Sequence, residues 1–213
     1  MSMLRQTPYS NPEMPPSDPH LSHMALVLVL DTSASMTARG ANGKSLIQEL
    51  NDGVNRFKQE VLRDSSTEQI LDVAIIRFDS TYEVIQGFRP IRDMVHVDLP
   101  ANGYDTIYSP AIKEAIRMVK ERSDQYRQYR RPYKPWILFI TDGAPNPNDS
   151  AGIQAVAQEI AAMVQRKEVS FRSLAVGSDK ENAFGVLRTL SNYGPSLTVR
   201  WDSEVSAGGG TVC

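Results

Sequence analysis

The stretch ALVLVL, residues 25–30, is apolar at every position and runs directly into Asp31. A strand with one face in water alternates polar and apolar residues. A strand without a polar position is covered on both faces, the situation of a parallel sheet between two layers of helices. Leu71–Phe78 (LDVAIIRF), Trp136–Ile140 and Ser170–Val176 read as further strands of the same sheet. Tyr82–Phe88 reads as an antiparallel neighbour of Leu71–Phe78, with a hairpin corner across Asp79–Thr81. A last strand is expected over 196–199, and a short extended piece over Val95–Leu99.

Helical spacing fills the intervals. Leu46, Ile47, Leu50, Val54, Phe57 and Val61 share one face of a helix that starts near Ser45, where Ser45 and Gln48 have the spacing of a capping box. Ile112, Ala115, Ile116 and Val119 mark a second helix, with Ser109 as its expected cap and Pro110 in its first turn. Ile153, Val156, Ala157, Ile160 and Val164 mark a third that starts at Ser150, and a short one is expected over 182–190. The expectation is an α/β, Rossmann-like three-layer fold with a mostly parallel central sheet of about six strands flanked by helices.

A chain of 213 residues with 41% hydrophobic residues suits one domain with tails. Prolines at 8, 12, 15, 16 and 19 make residues 1–22 a flexible or draped arm, residues 23–201 the folded domain, and the Gly-rich 202–213 a flexible tail. The formal charge of -2 gives no general attraction to nucleic acid. The single cysteine, Cys213, excludes an internal disulfide and a Cys-based zinc site, and favours a cytoplasmic setting. The apolar run 24–30 is too short to span a bilayer, so neither a signal peptide nor a membrane anchor is expected.

An aspartate just beyond a buried strand is costly unless helix amides, a basic partner or a metal compensates it. In an open α/β sheet, the loops that leave the carboxyl ends of the strands line the functional crevice. Asp31, Ser33 and Ser35 leave the first strand, Asp142 leaves the strand at 136–140, and Thr106 precedes the helix at 110. If these elements are neighbours, two carboxylates and three hydroxyls converge. All are hard oxygen donors, suited to Mg²⁺ or Mn²⁺ rather than to a soft metal.

DTSAS at 31–35 resembles the DxSxS motif of von Willebrand factor A domains, the threonine of GYDTIYSPA resembles their second metal motif, and TDG at 141–143 resembles the third. The resemblance covers roughly residues 24–200 and implies a metal-ion-dependent adhesion site of Asp31, Ser33, Ser35, Thr106 and Asp142 that holds Mg²⁺ or Mn²⁺. It implies a protein partner that presents an Asp or Glu to the ion. More narrowly, the length and the opening LVLDTSASM resemble small bacterial single-domain proteins of the tellurite-resistance-associated (TerY-like) type. That resemblance implies an adaptor in a stress or defence system, with a kinase, phosphatase or ATPase as partner.

Other features carry bland readings. GANGKS has too short a spacing for a P-loop. Asp79 reads as a hairpin corner, Asp105 as loop polarity, and Met36 as either rim or core. Residues 120–134, with Lys120, Arg122, Arg127, Arg130, Arg131 and Lys134 among three tyrosines, read as a helix extension with a solvated face; a patch that contacts an acidic protein is the next reading, and single-strand nucleic-acid binding the lesser one. Arg39 and Lys44 are expected at the rim of the site. Catalysis would need a proton acceptor beside an activated water. His20 and His23 lie in or beside the arm and His96 in the middle loop, so the chain is read as a binding protein and not an enzyme. A metal-dependent hydrolase and a structural scaffold are the alternatives.

Overall fold

The computed structural model describes residues 15–40 and 42–177, together with Leu187 and Leu190. Five strands form one sheet: β1 (Met24–Asp31), β2 (Leu71–Phe78), β3 (Tyr82–Pro90), β4 (Trp136–Thr141) and β5 (Ser170–Ala175). Their order is β3-β2-β1-β4-β5. The β1 strand is central and parallel to both β2 and β4, while β3 is antiparallel to β2. This position explains the unbroken apolar run, because every residue from Ala25 to Asp31 is buried. The helices are α1 (Leu46–Val61), the single turn α2 (Ser65–Glu68), α3 (Ser109–Arg127) and α4 (Ser150–Gln165).

Alternate residues of β1 feed two cores. Val27 and Val29 join Ile112, Ile116, Ile153 and Ile160 of α3 and α4. Leu26, Leu28 and Leu30 join Leu46, Leu50 and Val54 of α1 on the opposite face. The expected capping box at α1 is present: Gln48 N donates to Ser45 Oγ, and Ser45 N donates to Gln48 Oε1 at 2.9 Å. The hairpin corner at Asp79 is also present, with Asp79 N bonded to Thr81 O and Thr81 N bonded to Asp79 Oδ1.

The segment 94–99 belongs to no strand. It is braced on α1 by side chains. Asn51 Nδ2 donates to Leu99 O and Asn51 Oδ1 accepts from Leu99 N; Asn55 makes the same pair of bonds with Val97. Lys58 Nζ caps the row on Met94 O at 2.6 Å. Four helical residues advance about 6 Å and two extended residues about 6.6 Å, so the two asparagines match alternate positions of the passing chain.

Two expectations need correction. Ser109 is not the cap of α3 but its first helical residue, and the N-cap position, Tyr108, supplies no side-chain bond. The stretch 120–134 is not a uniformly solvated face: α3 ends at Arg127, and both Arg122 and Tyr126 are buried. Lys44, expected at the rim of the site, pairs with Asp52 at 2.6 Å. Met36, left open between rim and core, is fully buried against the α1 side. The sixth strand at 196–199, the tail 202–213 and residues 1–14 lie outside the described residues. Of the helix expected over 182–190, only Leu187 and Leu190 are described, and both are buried.

Candidate metal centre at the carboxyl ends of the strands

The parallel register that sets Leu30 beside Ile140 brings the residues that follow, Asp31 and Thr141, together as well. Asp31 closes β1 with its side chain inaccessible to solvent. Its Oδ1 accepts from Ser33 N at 2.8 Å, and its Oδ2 accepts from Thr141 Oγ1. Ser33 is extended and is followed by a 3-10 turn, Ala34–Thr37, which returns Ser35 towards it. The two hydroxyls lie 3.0 Å apart, and Ser35 Oγ donates to Asp142 Oδ1 at 2.7 Å. The intervening side chains anchor the turn: Thr32 Oγ1 bonds Phe78 O at the end of β2, and Met36 is sunk in the core. The alternation in DTSASM therefore separates site oxygens from anchors.

Thr106 comes from a different loop, which is fastened at several points. Gly103 N donates to Thr32 O at 3.3 Å, and Gly103 pairs with Ser33 in a parallel bridge. Ile107 N donates to Asp79 O. Thr106 O accepts from Asn146 N at 2.8 Å, and Asp105 accepts from both Thr106 N and Asn146 Nδ2. Asp105, expected to be simple loop polarity, thus joins the loop before α3 to the loop after β4. Three of the five expected ligands, Ser33, Ser35 and Asp142, are connected through their side chains, and the Asp31 carboxylate joins them through Ser33 N. Thr106 sits beside them through backbone contacts, and its hydroxyl makes no hydrogen bond among the described residues.

A Cβ at Gly103 would overlap the Asp79 side chain from its own Cβ outwards, where no rotamer change gives relief. Gly103→Ala is therefore expected to lower stability by about 1–3 kcal/mol and to shift the Thr106 loop. Urea denaturation of the two proteins measures this; equal midpoints would show that the loop approaches the hairpin less closely.

Three residues that hold the site were not legible as such. Asp149 occupies the N-cap position of α4, but its carboxylate serves α3: Oδ2 accepts from Tyr108 N at 2.7 Å and Ser109 N at 2.9 Å, and Oδ1 accepts from Ser109 Oγ. Tyr108, fully buried, donates to Gly143 O and lies 3.1 Å from Thr141 Oγ1. Asn146 clamps the Thr106 loop as described. All three lie in sequence next to expected elements, and their partners are distant in sequence.

The electrostatics follow from burial. Removal from water pushes the Asp31 carboxyl up to about 6, opposed by the Ser33 and Thr141 hydrogen bonds and reinforced by the nearby charge of Asp142. Burial likewise raises the Tyr108 hydroxyl, so it remains a neutral donor. Among the described residues, no group of three or more His, Cys, Asp or Glu side chains is placed to hold a metal. An ion at this site would have to draw on hydroxyls. The residues present fit that demand: the donors are all oxygen, and a cation would compensate a buried carboxylate that otherwise resists ionisation.

The profile of von Willebrand factor type A domains matches residues 26–144, more than half of the chain. The chain belongs to the von Willebrand factor type A domain family. The matched region contains all five expected ligands and ends before Asn146 and Asp149. No curated protein sequence matches the chain. Solved structures share the fold. A variant of the PilB minor pilin from Streptococcus sanguinis superposes with a TM-score of 0.60 at 12% identity, covering 84% of this chain and 57% of the pilin. The pilus adhesin SpaC from Lactobacillus rhamnosus GG gives 0.62 at 14% identity, over 85% of this chain and 29% of the adhesin. The hypothetical protein BatB from Bacteroides thetaiotaomicron gives 0.53 at 18% identity, over 84% and 90%. This von Willebrand factor type A domain therefore spans about half or less of the first two proteins. Among its described residues, no helix is long and apolar enough to cross a membrane.

Proposed function

We propose that the domain binds a protein partner through one Mg²⁺ or Mn²⁺ ion held by Asp31, Ser33, Ser35, Thr106 and Asp142. The observation that carries this reading is the continuous run of oxygens from Ser33 through Ser35 to Asp142 beside the buried carboxylate of Asp31, drawn from the ends of two parallel strands. The two carboxylates balance a divalent charge, and the hydroxyls add none. The ion would supply an electrophilic contact for a carboxylate of the partner. Ser33 and Ser35 would orient that contact, and the Asn146 and Asp149 clamps would fix the Thr106 loop beside it. We read the domain as a binding protein and not an enzyme. The resemblance of LVLDTSASM supports a place among TerY-like proteins, with a cytoplasmic adaptor role in a bacterial stress or defence system and a kinase, phosphatase or ATPase as partner.

Calorimetric titration of EDTA-treated protein with Mg²⁺ or Mn²⁺ is expected to give one site, weakened at least about ten-fold by Asp31→Ala. Loss of one ligand worth about 1.4 kcal/mol would suffice for that factor. Unchanged metal affinity in the variant refutes the assignment.

One observation favours a second reading, a scaffold in which the same loops are held without an ion. Both oxygens of Asp31 already accept hydrogen bonds from the chain itself. Partner affinity that is indifferent to EDTA would select this reading.

A further inference from the structure

The loop that carries Thr106 also carries an aromatic ring in water. Tyr104 is 98% exposed, whereas the next most exposed large apolar or aromatic side chain among the described residues, Tyr133, is 53% exposed and so half covered. A single exposed aromatic is ordinary on a mobile loop, but the backbone around Tyr104 is tied down. On one side Gly103 bridges Ser33 and donates to Thr32 O, with no room for a Cβ beside Asp79. On the other, Asp105 and Thr106 are bonded to Asn146, and Ile107 to Asp79 O. The ring is therefore carried on a fastened mount, one residue from Gly103 and two from Thr106. A tyrosine has only two side-chain torsions to order, so a ring presented this way contributes contact area at small entropic cost. The neighbouring carboxylates of Asp79 and Asp105 already accept hydrogen bonds from their own loops, which leaves the Tyr104 ring as the exposed aromatic surface of the loop that carries Thr106.

We infer that Tyr104 is a partner-selecting anchor: the domain takes a segment in which an acidic residue is accompanied, within two positions, by a large apolar or aromatic side chain that packs on the Tyr104 ring. The backbones of Tyr104 and Thr106 are two residues and so at most about 7 Å apart, which is the ground for keeping the apolar side chain close to the acid in the partner's sequence. The inference rests on the proposed metal-dependent binding and adds the chemistry of the partner to it. The aromatic ring is the recognising element, so its hydroxyl is dispensable.

The test is selection of a display library of short random peptides on the full chain in Mg²⁺, with elution by EDTA. Eluted sequences are expected to pair Asp or Glu with Phe, Tyr, Trp, Leu or Ile within two positions. Fluorescence titration of one such peptide should show affinity lowered about ten-fold or more by Tyr104→Ala and kept within about two-fold by Tyr104→Phe. The Mg²⁺ affinity and melting temperature of both variants should equal those of the wild type, because the ring touches little of the folded body. EDTA-eluted peptides that are acidic without an apolar neighbour, or that pair the acid with Lys or Arg, together with indifference to Tyr104→Ala, overturn the inference and leave the metal reading standing. Peptides that remain bound in EDTA, or an absence of binders, overturn the metal reading and the inference with it.

Discussion

Asp72→Ala is expected to destabilise the protein by about 3–5 kcal/mol, the cost of leaving one member of a buried ion pair alone. Asp72 and Arg122 are each about 1% exposed. Arg122 Nη2 donates to Asp72 Oδ2 at 2.6 Å, and Tyr126 OH donates to the same oxygen. The guanidinium also reaches Gln125 and lies 4.7 Å from the centroid of the Tyr126 ring, on which His23 stacks at 5.5 Å. Truncation of Asp72 would therefore leave a buried cation without its counter-charge and a buried phenol without its acceptor. The double replacement Asp72→Leu with Arg122→Met removes both charges and is expected to recover most of the loss. Urea denaturation of the two variants decides the matter; a single variant within about 1 kcal/mol of wild type would show that water reaches the pair. Asp72 lies at the amino end of its strand, opposite the candidate metal centre, so the Mg²⁺ affinity of the folded fraction should not change.

The second large effect has the opposite sign. In EDTA, Asp31→Asn is expected to raise stability at about pH 7 by roughly 2–3 kcal/mol. Burial lifts the folded-state carboxyl from 3.8 to about 6, so between about pH 4 and pH 6 the folded protein holds a proton that the unfolded chain has released. This group favours folding most below about pH 4, and the advantage is lost as the pH rises through about 6. A shift of about two units corresponds to roughly 3 kcal/mol. Asparagine can also complete the hydroxyl chain. Its amide would donate to Thr141 Oγ1, freeing that hydroxyl to donate to Tyr108, which donates to Gly143 O. The difference in unfolding free energy between wild type and variant should be small near pH 4 and grow towards pH 7. Saturating Mg²⁺ should shrink it in favour of the wild type. A pH-independent difference would mean that Asp31 is ionised at ordinary carboxylate pH even without metal.

The fold was legible in the sequence wherever a residue's role depends on near neighbours. The apolar run at 25–30 placed β1 between two helical layers, and Ser45 with Gln48 marked the start of α1. Asp31, Ser33 and Ser35 follow one local alternation, which the turn after β1 preserves. The failures share a cause. Ser109 looked like a cap because it precedes Pro110, yet the cap is Asp149, which is supplied across the fold. Arg122 looked like one of a row of solvated cations. Its burial depends on Asp72, which sits in another element and breaks no apolar pattern conspicuously enough to be matched with an arginine. Asp105 reads as loop polarity because its partner, Asn146, is brought near only by the packing of α3 beside β4. Contacts made across the sheet leave no periodic trace along the chain.

The brace that Asn51 and Asn55 form on the passing chain bears on the reach of Thr106. The connection from β3 to α3, residues 91–108, would be a long free loop if it were tethered only at its ends, and the positional spread of a residue within a loop grows with the length of the untethered span. With Val97 and Leu99 fixed to α1 and Gly103 fixed to the end of β1, the untethered span before the site shrinks to residues 100–102. A helix that supplies none of the candidate ligands thereby limits how far one of them can wander, and the loop-closure entropy of assembling the site is met when α1 docks.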